Sequence, residues 1–239
     1  MKSILSLATL LLSTASALPF SISPSHRAPR ALAARSNCSA QAVDATGATD
    51  TGGAGLNITN GDSESRSYFV YENGCDSMPS KYVTVDAGAT AFLALPASFQ
   101  GRVVRGTADV NLDGQPHSLG TWLEIGLDAS GTGWADVSLI RGCDGAVSIA
   151  AGDGTGATTG FSDNSVINDA TDAILEAKDS GAKAIKATED SLVQVLTDVT
   201  SYLSGKLGYT VAYLDDYHGN PVICSTDGRF DVTFYEGRP

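Results

Sequence analysis

Thr121-Trp122-Leu123-Glu124-Ile125-Gly126-Leu127-Asp128, followed by Gly133-Trp134-Ala135-Asp136-Val137-Ser138, alternates apolar and polar side chains with a period of two. That period sends successive side chains to opposite faces of a strand. Leu123, Ile125 and Leu127 share one face; Trp122, Glu124, Gly126 and Asp128 share the other. In the second run Asp136 alternates against Ala135 and Val137. If the two strands pair, two carboxylates and Trp122 or Trp134 meet on one surface. Indoles stack on sugar rings and carboxylates accept hydroxyl hydrogen bonds, so such a surface suits a carbohydrate.

Similar runs flank this pair. Ser67–Tyr71, Lys81–Val85, Ala91–Leu95, Arg102–Arg105 and Ala146–Ala150 are β-branched, aromatic or alternating. Turn signals separate them, including Asn73-Gly74, Asp86-Ala87-Gly88, Asp113-Gly114 and Asp144-Gly145. Many short strands at this spacing predict a mainly β protein, a sandwich or barrel. The period then changes. Between Ser165 and Leu203, Ile167, Ile174, Ile185, Leu192, Val195, Val199 and Leu203 follow a helical stripe, which predicts a long helical segment packed on the sheet, with Gly181 as a break. Tyr209–Tyr213, Pro221–Cys224 and Arg229–Phe234 return to strand, the last two forming a hairpin about Asp227-Gly228.

The chain opens with Lys2, an apolar run from Ile4 to Leu12, and Ala15-Ser16-Ala17 before Leu18. This is the pattern of a cleavable secretory signal over Met1–Ala17, and it is shorter than the roughly 20 residues a spanning helix needs. Residues 18–55 are rich in Ala, Ser, Thr, Gly and Pro and read as a flexible leader. Residues 56–239 form the folded domain, with the helical insert at 165–203. The expected location is extracellular or in the cell wall.

The 239 residues carry 15 Lys+Arg against 27 Asp+Glu, a net charge of −12. Nucleic acid and anionic membranes both present phosphate and are poor partners for such a chain. Neutral glycans fit better, and a monomer is the default. Four cysteines, Cys38, Cys75, Cys143 and Cys224, suggest two disulfides in any of three pairings. No pair has zinc spacing, His26, His117 and His218 have no metal-ligand spacing, and the Gly152–Gly156 loop lacks the Lys of a phosphate loop, so neither metal nor cofactor is expected. Asn37-Cys38-Ser39 and Asn57-Ile58-Thr59 are N-glycosylation sequons.

The strand sequences resemble those of thaumatin-like proteins. Thr121–Asp128 is similar to the family's Thr-Leu-Ala-Glu-Phe-x-Leu-Asn strand, and Gly133–Ser138 to its Asp-x-x-Asp-[IV]-Ser strand. In the same order, Leu56–Asn60 resembles the first strand, and Gly101–Thr107 the Gly-[KR]-[IV]-Trp-[AG]-Arg-Thr strand. Tyr213-Leu214-Asp215-Asp216, Cys224 and Asp231–Phe234 resemble the ending. The family's terminal disulfide is missing at both ends, since Asp62 and Tyr235 stand there, and its cysteine-dense second domain is absent. The chain is therefore similar to a divergent, cysteine-poor member of fungal type, with a thaumatin-like antiparallel β-sandwich.

The resemblance implies an acidic cleft that binds β-1,3-glucan of the cell wall. It assigns Glu124, Asp136, Asp215 or Asp216, and an arginine, Arg105, to that cleft, with Gly133 replacing one family aspartate. It pairs Cys224 with Cys143, leaving Cys38 for Cys75. Two other readings remain: a weak endo-β-1,3-glucanase using the same carboxylates, and a secreted effector or surface interaction protein with a vestigial cleft.

Overall fold

A computed structural model describes residues 38–239; the expected signal sequence, most of the expected leader and Asn37 lie outside the described residues. In chain order the strands are β1 (Val43–Asp44), β2 (Gly55–Gly61), β3 (Arg66–Glu72), β4 (Lys81–Val85), β5 (Thr90–Ala94) and β6 (Gln100–Gly106). A short helix α1 (Ala108–Asn111) precedes β7 (Trp122–Leu127), β8 (Gly133–Ser138), β9 (Gly145–Ala151) and β10 (Thr158–Gly160). Then come α2 (Ser165–Asn168), a 3-10 turn at Asp172–Ile174, β11 (Leu175–Ala177), β12 (Lys183–Ile185), α3 (Thr197–Leu207), β13 (Ile223–Ser225) and β14 (Arg229–Gly237).

Seven strands form one sheet in the order β1-β4-β3-β6-β7-β8-β13, and five form another in the order β10-β9-β14-β2-β5. Both sheets are mixed rather than antiparallel throughout: β1 runs parallel to β4, and β14 runs parallel to β2. The sheets share one core. Tyr68, Val70, Val103, Leu123, Ile125 and Val137 enter it from the larger sheet, and Leu56, Ile58, Val147, Phe230, Val232 and Phe234 from the smaller. The alternation that predicted the strands is the alternation that fills this core.

The single long helical segment expected at 165–203 is not formed. Some of its apolar residues are buried, but by separate short pieces: Val166 and Ile167 on α2, Ile174 in the 3-10 turn, Ile185 on β12, and Val199 and Leu203 on α3. Gly181, at φ +85°, closes the β11–β12 hairpin. The Asp190 carboxylate then accepts the N–H groups of Leu192 and Gln194 and turns the chain again. Leu192 ends up exposed instead of on the stripe. Side-chain-to-backbone bonds from Asp and the β-branched content compete with helix here.

The expected β13–β14 hairpin is also replaced. Gly228 turns the chain at φ +66°, but β13 pairs with β8 while β14 lies between β2 and β9, so this turn crosses between sheets. Tyr209–Tyr213 forms no strand; Tyr213 makes an isolated parallel bridge to Ser138.

Cys38 and Cys75 form a disulfide. With it, β1 on β4, and Arg229 bonded to Asp50 and to the Gly53 carbonyl, residues 38–54 are held on the body. Cys143 and Cys224 are not paired. Cys143 is buried in the core behind β8, with burial pushing its thiol up to about 11, whereas Cys224 stands exposed opposite Trp134 on the other face. Where the terminal bridge of the family would fall, Gly61 lies opposite Tyr235 and the Asp62 carboxylate accepts the Gly237 N–H at 3.2 Å while pairing with Arg66 at 2.8 Å. Polar bonds thus tie the ends of β2 and β14.

Candidate functional site

The solvent face of the larger sheet carries the candidate residues in one row. β6 pairs with β7 so that Arg102 is opposite Glu124, and β7 pairs with β8 so that Glu124 is opposite Asp136. Tyr71 of β3 lies beyond Arg102 on the same face, and that end of the row is covered: Tyr71 is fully buried and Arg102 nearly so. Their inward neighbours, Val103, Leu123, Ile125, Ala135 and Val137, are buried, which fixes the outward direction of the row. Directly opposed residues have Cβ atoms about 4.5–5.5 Å apart, so the two carboxyl groups are immediate neighbours.

Both indoles lie on this face. Trp122 faces Ser138, and its Nε1 donates to the Ser118 carbonyl at 2.9 Å. Trp134 lies opposite Gly126 and is 43% exposed, which leaves its ring open to a ligand. Trp122 is already engaged, since the Arg102 guanidinium sits over its ring at 4.1 Å and over Tyr71 at 4.7 Å. Arg102 also pairs with Asp76 at 2.9 Å.

Burial and like charge shape the carboxyl pair. Burial raises the Glu124 carboxyl above its usual range, Ser138 and Arg102 pull it back, and Asp216 pushes it up again. Asp136 is raised well above its usual range, first by burial and then by Glu124. Asp136 Oδ1 is enclosed without a hydrogen-bond partner. Tyr213 borders the pair: burial and then Asp136, Glu124 and Asp216 push its phenol up to about 12. Two adjacent carboxyls of this kind hold a proton where isolated ones would be ionised, and they titrate as a pair.

The sign of the pH effect follows. The folded state binds this proton more tightly than the unfolded chain, so stability falls as pH rises from about 3.9 through the folded value. Asp136→Asn removes the penalty. Urea unfolding should show the variant matching wild type near pH ~3 and exceeding it by at least about 1 kcal/mol near pH ~8. A gain that is the same at both pH values would contradict this account.

The remaining predicted site residues fall elsewhere. Asp215 is 1% exposed and serves as a local cap, its Oδ1 accepting the N–H groups of Tyr217 and His218. Asp216 is the member of that doublet coupled to Glu124, and its N–H donates to Glu189 Oε1 at 3.0 Å. Arg105 is not on this face. It is buried on the inner side, bonded to Asp144 Oδ1 at 3.0 Å and to the Tyr235 carbonyl at 2.7 Å. Parity explains the exchange: Arg105 shares the face of Val103, and Arg102 the opposite one. Position 133 has the same inward parity as Ala135. An ideal Cβ there would lie 2.8 Å from the Phe230 ring and 2.9 Å from a Leu127 methyl. Gly133 is therefore a packing residue, and no cleft carboxylate is lost there.

Sequence reading missed Arg102 and Tyr213. The first was within reach, since only the outward arginine of β6 can face Glu124. The second had no local signal, because its bridge to Ser138 spans the whole insert.

Comparison with known proteins gives similarity of fold at low identity. The chain is similar to the thaumatin-like xylanase inhibitor TLXI, with 14% identity and TM-score 0.39 over 76% of this chain and 99% of that one. It is similar to the protein elicitor MoHrip2 from Magnaporthe oryzae, with 13% identity and TM-score 0.33 over 46% and 78% respectively. No protein-family model and no curated protein matches. Among the described residues no cluster of His, Cys, Asp or Glu could hold a metal ion, and no helix is long and apolar enough to cross a membrane.

Proposed function

We propose that this chain is a secreted, divergent thaumatin-like protein whose larger sheet binds a neutral cell-wall polysaccharide, β-1,3-glucan, on its solvent face. The observation that carries the reading is the direct opposition of Glu124 and Asp136 beside the exposed ring of Trp134. Adjacent carboxyls accept from sugar hydroxyls and, when one holds a proton, also donate to them, and an open indole stacks on a sugar ring. Arg102 and Asp216 complete the polar frame.

Laminarin tests the proposal. Saturable binding is expected for wild type, with affinity reduced at least about tenfold in Glu124→Gln and in Trp134→Ala. Unchanged affinity in both variants, or no retention on insoluble glucan, would overturn it and favour an interaction protein with a vestigial cleft.

The raised pair also supports a second reading, a weak endo-β-1,3-glucanase. Hydrolysis needs one protonated and one ionised carboxyl, and retaining enzymes place them about 5–5.5 Å apart. Burial raises both carboxyls, and Asp136 further through Glu124, while Arg102 favours the ionised form of Glu124, so the pair supplies the kind of asymmetry that hydrolysis needs. Release of reducing sugar by wild type and its loss in Glu124→Gln would establish this reading over simple binding.

A further inference from the structure

β2, between β14 and the edge strand β5 of the smaller sheet, carries the sequon Asn57-Ile58-Thr59. Leu56, Ile58 and Asn60 are buried, so Asn57 and Thr59 stand on that sheet's solvent face. Asn57 is opposite Asp231 of β14, and its Nδ2 donates to Asp231 Oδ1 at 2.8 Å. On the same face, beyond Asp231, β14, β9 and β10 floor an open trough of about 390 Å³. That is within the ~300–1,000 Å³ of ordinary small-ligand sites. Its lining is rich in hydroxyls, from Ser148, Thr158, Thr233 and Tyr235, with Asp231 on the side nearest Asn57. One strand spacing, about 4.8 Å, separates Asn57 from the row of Asp231 and Thr233.

We propose that Asn57 carries an N-linked glycan whose first sugars lie in this trough. Transfer forms one bond, from Asn57 Nδ2 to the anomeric carbon of an oligosaccharide carried on a lipid diphosphate. The anomeric C–O bond breaks, the lipid diphosphate leaves with its electron pair, and Nδ2 releases one proton. Nδ2 keeps its other hydrogen, so donation to Asp231 survives the modification. Transfer takes place on the extended chain during export, so the proposal rests on the secretion signal, though not on glucan binding. The hydroxyl lining and Asp231 match sugar hydroxyls, and the Tyr235 ring offers an edge for a sugar face. The glycan then covers the smaller sheet and leaves the Glu124–Asp136 face open.

The protein secreted from a eukaryotic host tests both parts. The tryptic peptide containing Asn57 is expected to carry a glycan mass, and peptide N-glycosidase should convert Asn57 to aspartate as it removes that mass. Thr59→Val, which destroys the sequon but keeps Asn57 and a β-branched strand residue, should lose the glycan and leave laminarin binding unchanged. Release of the glycan from the native protein should be at least about tenfold slower than from denatured protein, and Thr233→Trp, which fills the trough, should remove most of that protection. An unmodified Asn57 peptide overturns the modification. Equal release rates, or protection unaffected by Thr233→Trp, overturn the placement.

Discussion

Gly133→Asp is expected to destabilise the protein by about 3–5 kcal/mol and to leave glucan affinity no better than wild type. Family resemblance alone suggests the reverse, that an aspartate here would restore an acidic cleft. The structure places position 133 on the inner side of β8, buried against Phe230 and Leu127. A carboxylate there would be forced into an apolar site with no partner, and its atoms would overfill a packed volume. Gly133→Ala separates the two costs. It meets the same contacts with no charge and should cost only about 1–3 kcal/mol. Urea unfolding of both variants, with laminarin binding of whichever folds, is the measurement. A stable Gly133→Asp protein with tighter binding would show that β8 can present this position to solvent.

Asp144→Ala is the other large effect, also about 3–5 kcal/mol of lost stability. Asp144 is almost fully buried and holds three elements together. Its Oδ1 pairs with Arg105 at 3.0 Å and its Oδ2 with Lys178 at 2.7 Å. Its Oδ1 also accepts the Thr121 N–H, next to the start of β7. Truncation leaves the enclosed Arg105 charge without its carboxylate, and breaking one side of a buried pair costs far more than the pair contributes. Arg105→Met in the same chain should recover much of the loss, because an apolar side chain then replaces the stranded charge. The comparison is a double-mutant cycle in urea. A loss below about 1 kcal/mol for Asp144→Ala alone would mean that water reaches Arg105. Arg105→Met, alone or with Asp144→Ala, should leave any laminarin affinity unchanged, since Arg105 lies on the inner side, away from the face proposed to bind.

The candidate face was largely legible in the sequence. Alternation in Trp122–Leu127 and Gly133–Ser138 put Glu124 and Asp136 opposite an apolar row, and the short spacing between the runs favoured pairing. The errors share one cause. Arg105 and Gly133 were placed by matching positions along a remote family pattern, and a shift of one residue in a strand changes the face. Strand parity applied to each of them separately would have placed Arg105 and Gly133 inside and left Arg102 outside. Asp215 and Asp216 lie in a turn, where parity has no meaning, and only the hydrogen bonds to Tyr217 and His218 show which one is the cap.

The insert shows a different limit. A helical period in Ser165–Leu203 marked Ile167, Ile174, Ile185, Val199 and Leu203, which become buried, but also Leu192 and Leu196, which do not, because periodicity reports burial only when one regular element carries it. Gly181 and the Asp190 turn cut the segment into pieces that bury the same side chains from different directions. The cysteines follow the same logic. Their number and spacing left the pairing open, and pairing depends on which sulfurs face each other across folded strands; Cys143 is buried in the core, whereas Cys224 is exposed on β13.

By itself, then, the sequence determined the β character, the positions of the strands from β3 to β9 and the polar face of the central pair, because a two-residue period is a local property that burial of one face enforces. Tertiary structure alone decided the parallel placement of β14 beside β2, the passage from β13 to β14 between sheets, the choice of Arg102 over Arg105 and the joining of Asp216 and Tyr213 to the carboxyl pair. Those depend on which distant strands share a sheet and in what register, and that is set by filling one common core.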